Sequence, residues 1–202
     1  NLVLLDHAAG GMPDCNGDTT LHCAAELGRW EILRMLTEHL PSAECPNNRG
    51  ETPLHYAAHG GHLATVVKLV QDLGSGALCD AAAFDKLGRS LLMHACVSGH
   101  LDLVNLLLGS RDGTHEELAL PPLDLNHADN EGATALMISA REGHWHLLPS
   151  LVLAGANISC KDCDGFTALH WAAFEDELLS LLGLIDLGAD LDATDGKGWT
   201  PL

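Results

Sequence analysis

The sequence is poor in basic residues and in aromatic rings. Its 202 residues hold 10 Lys and Arg against 28 Asp and Glu, a formal charge of −18. A phosphate-backbone binder needs a basic footprint, and an anionic membrane surface attracts the same charge. Neither nucleic acid nor membrane is therefore an expected partner. With only four Trp, three Phe and one Tyr, the core must be built from Leu, Ala and Val, a composition suited to helices rather than strands. No apolar run approaches the roughly 18 residues of a membrane span. The opening Asn1-Leu2-Val3-Leu4-Leu5-Asp6 lacks the basic start and cleavage site of a signal peptide. The cysteines, at 15, 23, 45, 79, 96, 160 and 163, are odd in number and irregularly spaced. They do not read as a disulfide framework but as reduced thiols of an intracellular, cytoplasmic or nuclear, protein.

What the chain does have is a phrase that recurs. Gly17-Asp18-Thr19-Thr20-Leu21-His22-Cys23-Ala24-Ala25 returns as Gly50-Glu51-Thr52-Pro53-Leu54-His55-Tyr56-Ala57-Ala58. A degraded copy is Gly88-Arg89-Ser90-Leu91-Leu92-Met93-His94-Ala95-Cys96. Then follow Gly132-Ala133-Thr134-Ala135-Leu136-Met137-Ile138-Ser139-Ala140 and Gly165-Phe166-Thr167-Ala168-Leu169-His170-Trp171-Ala172-Ala173, and a last copy begins at Gly198-Trp199-Thr200-Pro201-Leu202. The leading glycines are 33, 38, 44, 33 and 33 residues apart. In each phrase Thr can cap a short helix, which Pro53 opens in the second copy. The Ala pair keeps that helix thin, and Gly28, Gly61, Gly99 and Gly143 supply the turn into a second helix. That second helix carries apolar residues at helical spacing, such as Leu101, Leu103, Val104, Leu106 and Leu107. One helix pair cannot bury its own apolar face, so pairs must stack.

The period and the Thr-Pro-Leu-His-x-Ala phrase resemble those of the ankyrin-repeat family, and the resemblance covers almost the whole chain. It implies an all-α solenoid of helix–turn–helix units joined by hairpin-like loops. The expected divisions are the end of a preceding repeat at 1–13, repeats at 14–46, 47–84, 85–128, 129–161 and 162–194, and a truncated repeat at 195–202. Leu2 to Ala9 read as the last helix of a preceding repeat, and neither terminus offers a polar cap, so the chain is expected to be a segment of a longer one. Two junctions carry insertions, within Gln71–Phe84 and Ser110–Leu123. Pro149 should kink or shorten its helix. Asp176 stands where the fifth repeat should have its turn glycine, so that turn should be distorted; the acids there would lie at the N-terminus of the next helix.

No catalytic or metal motif emerges. His22, His55 and His170 belong to the phrase and His62, His100 and His144 to the Gly-His turn; the resemblance gives all six a structural role, hydrogen bonding to neighbouring turns. The other histidines show no metal spacing. Cys160-Lys161-Asp162-Cys163 is a lone Cys-x-x-Cys without the second pair a zinc site requires. Asp162-x-Asp164-Gly165 lacks the ligand pattern of a calcium loop. Neither an enzyme, a cofactor nor a metal is expected.

The resemblance also implies a cupped surface, with hairpins as fingers and first helices as palm, on which partners bind. The residues assigned to it include twelve acids and six bases, so the face is acidic and suits a basic peptide or domain bound by a monomeric array. Phe84, Phe166, Phe174 and Trp199 fall on this face, and Tyr56 and Trp171 beside it. Exposed aromatics are favoured anchors. The expected partner-binding residues are Tyr56, Glu142, Asp162, Asp164, Phe166, Trp171, Phe174, Glu175 and Trp199, with a Lys or Arg of the partner held by rings and carboxylates. Leu169-His170-Trp171-Ala172-Ala173-Phe174 is similar to a phrase in ankyrin repeats that read methyl-lysine histone tails. A rival expectation is a regulatory or scaffolding arm within a larger enzyme or channel.

Overall fold

The computed structural model describes residues 13–39, 46–72, 82–109 and 123–202. The expected helix at Leu2 to Ala9 and most of both insertions lie outside these residues. The described residues form five helix pairs and no strands. They are α1 (Thr20–Glu26) with α2 (Trp30–His39), α3 (Pro53–His59) with α4 (Leu63–Asp72), α5 (Leu91–Val97) with α6 (Leu101–Leu107), α7 (Ala135–Arg141) with α8 (Leu148–Ala154), and α9 (Ala168–Phe174) with α10 (Leu178–Asp186). The first helices stack in chain order, α1 on α3 on α5 on α7 on α9. Each buries a Leu and an Ala of the phrase, among them Leu21 and Ala25, Leu54 and Ala58, and Leu169 and Ala172. The small residues permit the close approach and the leucines fill it.

Histidine ties the layers together. The Thr19 amide donates to His22 Nδ1 at 3.1 Å, so the ring carries its proton on Nε2, which donates to the Glu51 carbonyl of the next repeat at 3.0 Å. His55 and His170 repeat the arrangement, reaching the carbonyls of Ala83 and Trp199. In the other direction His62, His100 and His144 donate to the carbonyls of Glu26, His59 and Val97 in the preceding repeat. All six histidines assigned a structural role hold it. His127 and His146, which the sequence did not single out, also bond back, to the carbonyls of Gly88 and Gly99.

The hairpins follow one rule. The residue three before each leading glycine (Asp14, Asn47, Asp85, Asp129, Asp162 or Asp195) accepts through Oδ1 from the amides two and four residues on, at 2.7–2.9 Å. Adjacent hairpins are then joined by backbone bonds such as Lys86 N–H to the Arg49 carbonyl at 2.7 Å. The leading glycines are required there. Gly132 has φ +84, and a Cβ on it would sit 2.6 Å from the Cys163 backbone nitrogen.

Two expectations about the last repeats resolve differently. Pro149 does shorten its helix: a 3₁₀ turn at Trp145–Leu147 precedes α8, which holds Pro149 in its first turn, where no amide is needed. The turn at Asp176 is not distorted, which corrects the sequence reading. Asp176 takes φ +60 as the turn glycines do, and Glu177 N–H reaches the Ala172 carbonyl at 2.8 Å, the bond that His144 N–H makes to the Ser139 carbonyl. Asp is one of the few side chains that tolerate the left-handed region.

Candidate functional site

The hairpins and first helices together build a corner between each pair of repeats. Three positions meet there: the turn-forming Asp or Asn, the residue after the leading glycine of the repeat before, and the outward residue of the first helix. The chemistry differs from corner to corner.

Between the first two repeats the corner is Asp18, Asn47 and Tyr56. Tyr56 Oη donates to Asp18 Oδ1 at 2.8 Å and accepts from Arg49 at 2.8 Å, and Asn47 Nδ2 donates to Asp18 Oδ1 at 2.7 Å. Burial opposes ionisation of Asp18, but the bonds from Asn47 and Tyr56 outweigh it and hold the carboxyl below its ordinary range. Burial and the bond to Asp18 push the Tyr56 phenol up to about 12. Between the third and fourth repeats, Arg89 Nε stands 4.0 Å from Asp129 Oδ2, with Ile138 buried as the helix residue.

Between the fourth and fifth repeats lies the aromatic group. Trp171 Nε1 donates to Asp162 Oδ2 at 2.8 Å. Phe166, Trp171 and Phe174 meet edge to face, with centroids 5.4 to 6.2 Å apart, and Phe166 also stacks on His170. The Arg141 guanidinium lies 5.4 Å from the Trp171 ring centre and pairs with Glu142 at 3.1 Å. Phe174 is 69% exposed and Trp199 71%, the latter with Lys197 over its ring at 5.9 Å. Glu175 and Asp164 are exposed at the end of α9 and the tip of the hairpin.

The structure therefore brings Asp162, Phe166, Trp171 and Phe174 together, with Glu142 beside them through Arg141 and Glu175 next to Phe174. It does not bring Tyr56 to them: α5 and α7 stand between α3 and α9. Asp162 has both oxygens engaged within its own repeat, one on the hairpin amides and one on Trp171. Phe84 stacks on His127 at 4.3 Å. Arg141, counted in the sequence only as one base among six, covers the indole. Its place two residues before the turn glycine was the available signal.

The family model for ankyrin repeats in three copies matches residues 39–117 and 111–195, and the single-repeat model matches 16–48. The chain is similar to the B-cell lymphoma 3 protein homolog of Mus musculus, 31% identical over 170 residues, 81% of this chain and 35% of that protein. It is also similar to ankyrin repeat domain-containing protein 63 of Homo sapiens, 29% identical over 68% of this chain and 37% of that protein. The nuclear factor NF-kappa-B p105 subunit of Rattus norvegicus is 32% identical over 80% of this chain and 16% of that protein. The chain thus spans little more than a third of the length of such relatives at most. Ankyrin repeats are in general protein–protein interaction modules, and this chain belongs to the ankyrin-repeat family.

Proposed function

We propose that the array is a non-catalytic binding module that takes a basic peptide or domain of a protein partner on its palm face, at the fourth and fifth repeats. The observation that carries this reading is Phe174: a large ring, mostly exposed, held edge to face by Phe166 and by Trp171, the other outward ring of α9. Rings fixed by their neighbours lose little freedom when a partner covers them. Trp199 offers a second anchor, and Glu142, Asp164 and Glu175 supply carboxylates for Lys or Arg. Asp162, Phe166 and Trp171 act mainly as the frame of the site. Tyr56 belongs to a separate part of the face and would meet only a partner long enough to cross two further repeats. The reading includes a monomeric array in an intracellular compartment.

The test uses defined peptides of basic, neutral and acidic composition, with lysine unmethylated or trimethylated, titrated against the chain. Basic peptides are expected to bind, and Phe174→Ala, Trp171→Ala and Glu175→Lys each to weaken them with helical circular dichroism unchanged. Equal affinity for acidic and basic peptides, or indifference to these variants in folded protein, overturns the reading. The trimethylated arm examines the methyl-lysine alternative, which the three rings support. Arg141 already occupies the Trp171 face, so a quaternary ammonium must displace one cation to enter. The regulatory-arm alternative is supported by the small share of its relatives that the chain spans. It is tested by deleting the array from its parent and measuring parental activity without added partner.

A further inference from the structure

The corner between the second and third repeats sets a histidine against two carboxylates. It joins Glu51, Asp85 and His94, from two hairpins and from α5. One ligand atom of each lies within 4.8 Å of the other two. His94 is 5% exposed, and its Nε2 is buried without a hydrogen bond in spite of standing 3.3 Å from Asp85 Oδ2. Two of the neighbouring corners have a bonded donor at this place. Asn47 and Tyr56 feed Asp18 and the Trp171 indole feeds Asp162, whereas Arg89 Nε, 4.0 Å from Asp129, is buried without a bond as His94 Nε2 is. Here two carboxylates and an imidazole face one another, with His94 Nε2 and Asp85 Oδ2 at ion-pair distance.

We propose that Glu51, Asp85 and His94 bind one divalent transition-metal ion, for which Zn²⁺ is the test metal. Metal–ligand bonds of about 2.0–2.2 Å in a tetrahedral site place two ligand atoms roughly 3.3 Å apart, the spacing of His94 Nε2 and Asp85 Oδ2. The same distance is that of an ion pair, so the metal would replace a His94–Asp85 contact that already exists. Asp85 is already oriented, because its Oδ1 holds the Leu87 and Arg89 amides. That is the outer support which metal-site carboxylates use. Glu51 is the adjustable ligand: its Oε2 is shared with Asn47 and with Arg49 at 3.0 Å, and a side-chain rotation closes the remaining gap. Water completes the coordination. The imidazole selects against Mg²⁺ and Ca²⁺, which prefer oxygen alone. The sequence hid the site because its residues come from two repeats. Its one trace is the third copy of the phrase, where Met93 takes the usual histidine place and the histidine moves one residue on, outward toward Asp85.

The chain, stripped with a chelator and dialysed, is titrated with Zn²⁺ by calorimetry and with Co²⁺ by visible absorption. One ion per chain is expected. Asp85→Asn and His94→Gln should each weaken binding at least about tenfold, the loss that even an outer partner's removal causes at a metal site. Asn47 forms the same hairpin turn in the preceding repeat, so Asp85→Asn keeps the fold. If His94→Gln does not fold, His94→Tyr replaces it, because Tyr56 occupies that position in α3. Binding that persists in Cys160→Ser/Cys163→Ser supports the site. Binding that follows those cysteines and ignores Asp85→Asn overturns it. Absence of stoichiometric uptake also overturns it, and leaves the three residues as a shared-proton cluster.

Discussion

Glu177 interrupts the histidine series, and repairing it should stabilise the end of the array. In three successive turns a histidine lies over the turn glycine of the preceding repeat and donates to a carbonyl there, at 2.7 Å for His62, 2.9 Å for His100 and 3.0 Å for His144. At the fourth such interface the side chain over Gly143 is Glu177. A carboxylate cannot donate, so the carbonyl in register with Glu26, His59 and Val97, that of Arg141, gains no such bond from it. Asp176 beside it holds φ +60 without being glycine. In the variant Asp176→Gly/Glu177→His, the new hydrogen bond contributes about 1 kcal/mol net. Relief of the left-handed aspartate adds about 1 kcal/mol, of which the greater freedom of glycine in the unfolded chain takes back roughly half. Removing two acids from the α10 N-terminus costs about 0.6–1 kcal/mol together. The net gain is about 0.7 kcal/mol, close to a threefold change in an opening equilibrium.

Stability in a stacked array is distributed among repeats and interfaces, so the gain should appear locally. Amide hydrogen exchange resolved by mass spectrometry is the suitable assay. Peptides of α9 and α10 should exchange about threefold more slowly, with α1 to α4 unchanged. The mirror variant His100→Glu should accelerate exchange around α3 to α6. Unchanged protection in α9 and α10 of the folded double variant would show that these histidine bonds contribute nothing net, and would refute the reasoning.

Three further outcomes are expected. Tyr56 is the single tyrosine of the chain, so its ionisation can be followed by ultraviolet difference absorption; it should titrate near about 12, against 10 for a free phenol. Because the folded value is raised, its contribution is complete below pH 10 and is lost as pH rises through the folded value, and a midpoint near 10 in folded protein would count against the Asp18–Tyr56 bond. Ser180→Ala removes a buried hydroxyl that has no hydrogen-bond partner and should raise stability in denaturant by about 1 kcal/mol; a loss would mean that the hydroxyl is satisfied. Alkylation with mass mapping should label Cys15, Cys23 and Cys163, which are exposed, well before Cys96, which is fully buried and whose thiol burial pushes up to about 12. Labelling of Cys96 at the rate of the others would place α5 outside the core.

The helix pairs were legible because each local signal recurs: threonine before the first helix, the Ala pair within it, glycine after it, and a phase that returns every 33 residues. The structural histidines were legible for the same reason. His127 and His146 were not, since they occur once each and their carbonyl partners lie a whole repeat away. The Asp176 turn was misread because absence of glycine was equated with absence of the left-handed conformation, which aspartate also adopts. The aromatic group was legible as a cluster of residue types within one copy of the phrase. That Arg141 covers Trp171, and that Asp162 is consumed by the hairpin and the indole, depends on side-chain contacts that spacing does not encode. The Glu51, Asp85 and His94 corner was invisible for the opposite reason: it departs from the repeat by a shift of one residue, which reads in sequence as mere degradation.

The repeat also changes what the acidic face means. Twelve acids were assigned to it, but Asp14, Asp85, Asp129, Asp162 and Asp195 each spend an oxygen on hairpin amides, and Asp18 and Glu51 are held by Asn47. On the proposed reading these carboxylates attract a cationic partner from a distance and speed its encounter. They cannot all turn to grip it at short range, because releasing one opens a hairpin that every repeat depends on. On the proposed reading, steering and recognition fall to different residues. The turn-forming aspartates set the field along the whole array and should govern the salt dependence of association. Glu142, Asp164 and Glu175, with side chains free of the hairpins, would set which partner stays. They cluster where Phe174 and Trp199 are exposed, so the end of the array that offers the rings is also the end that offers carboxylates able to move.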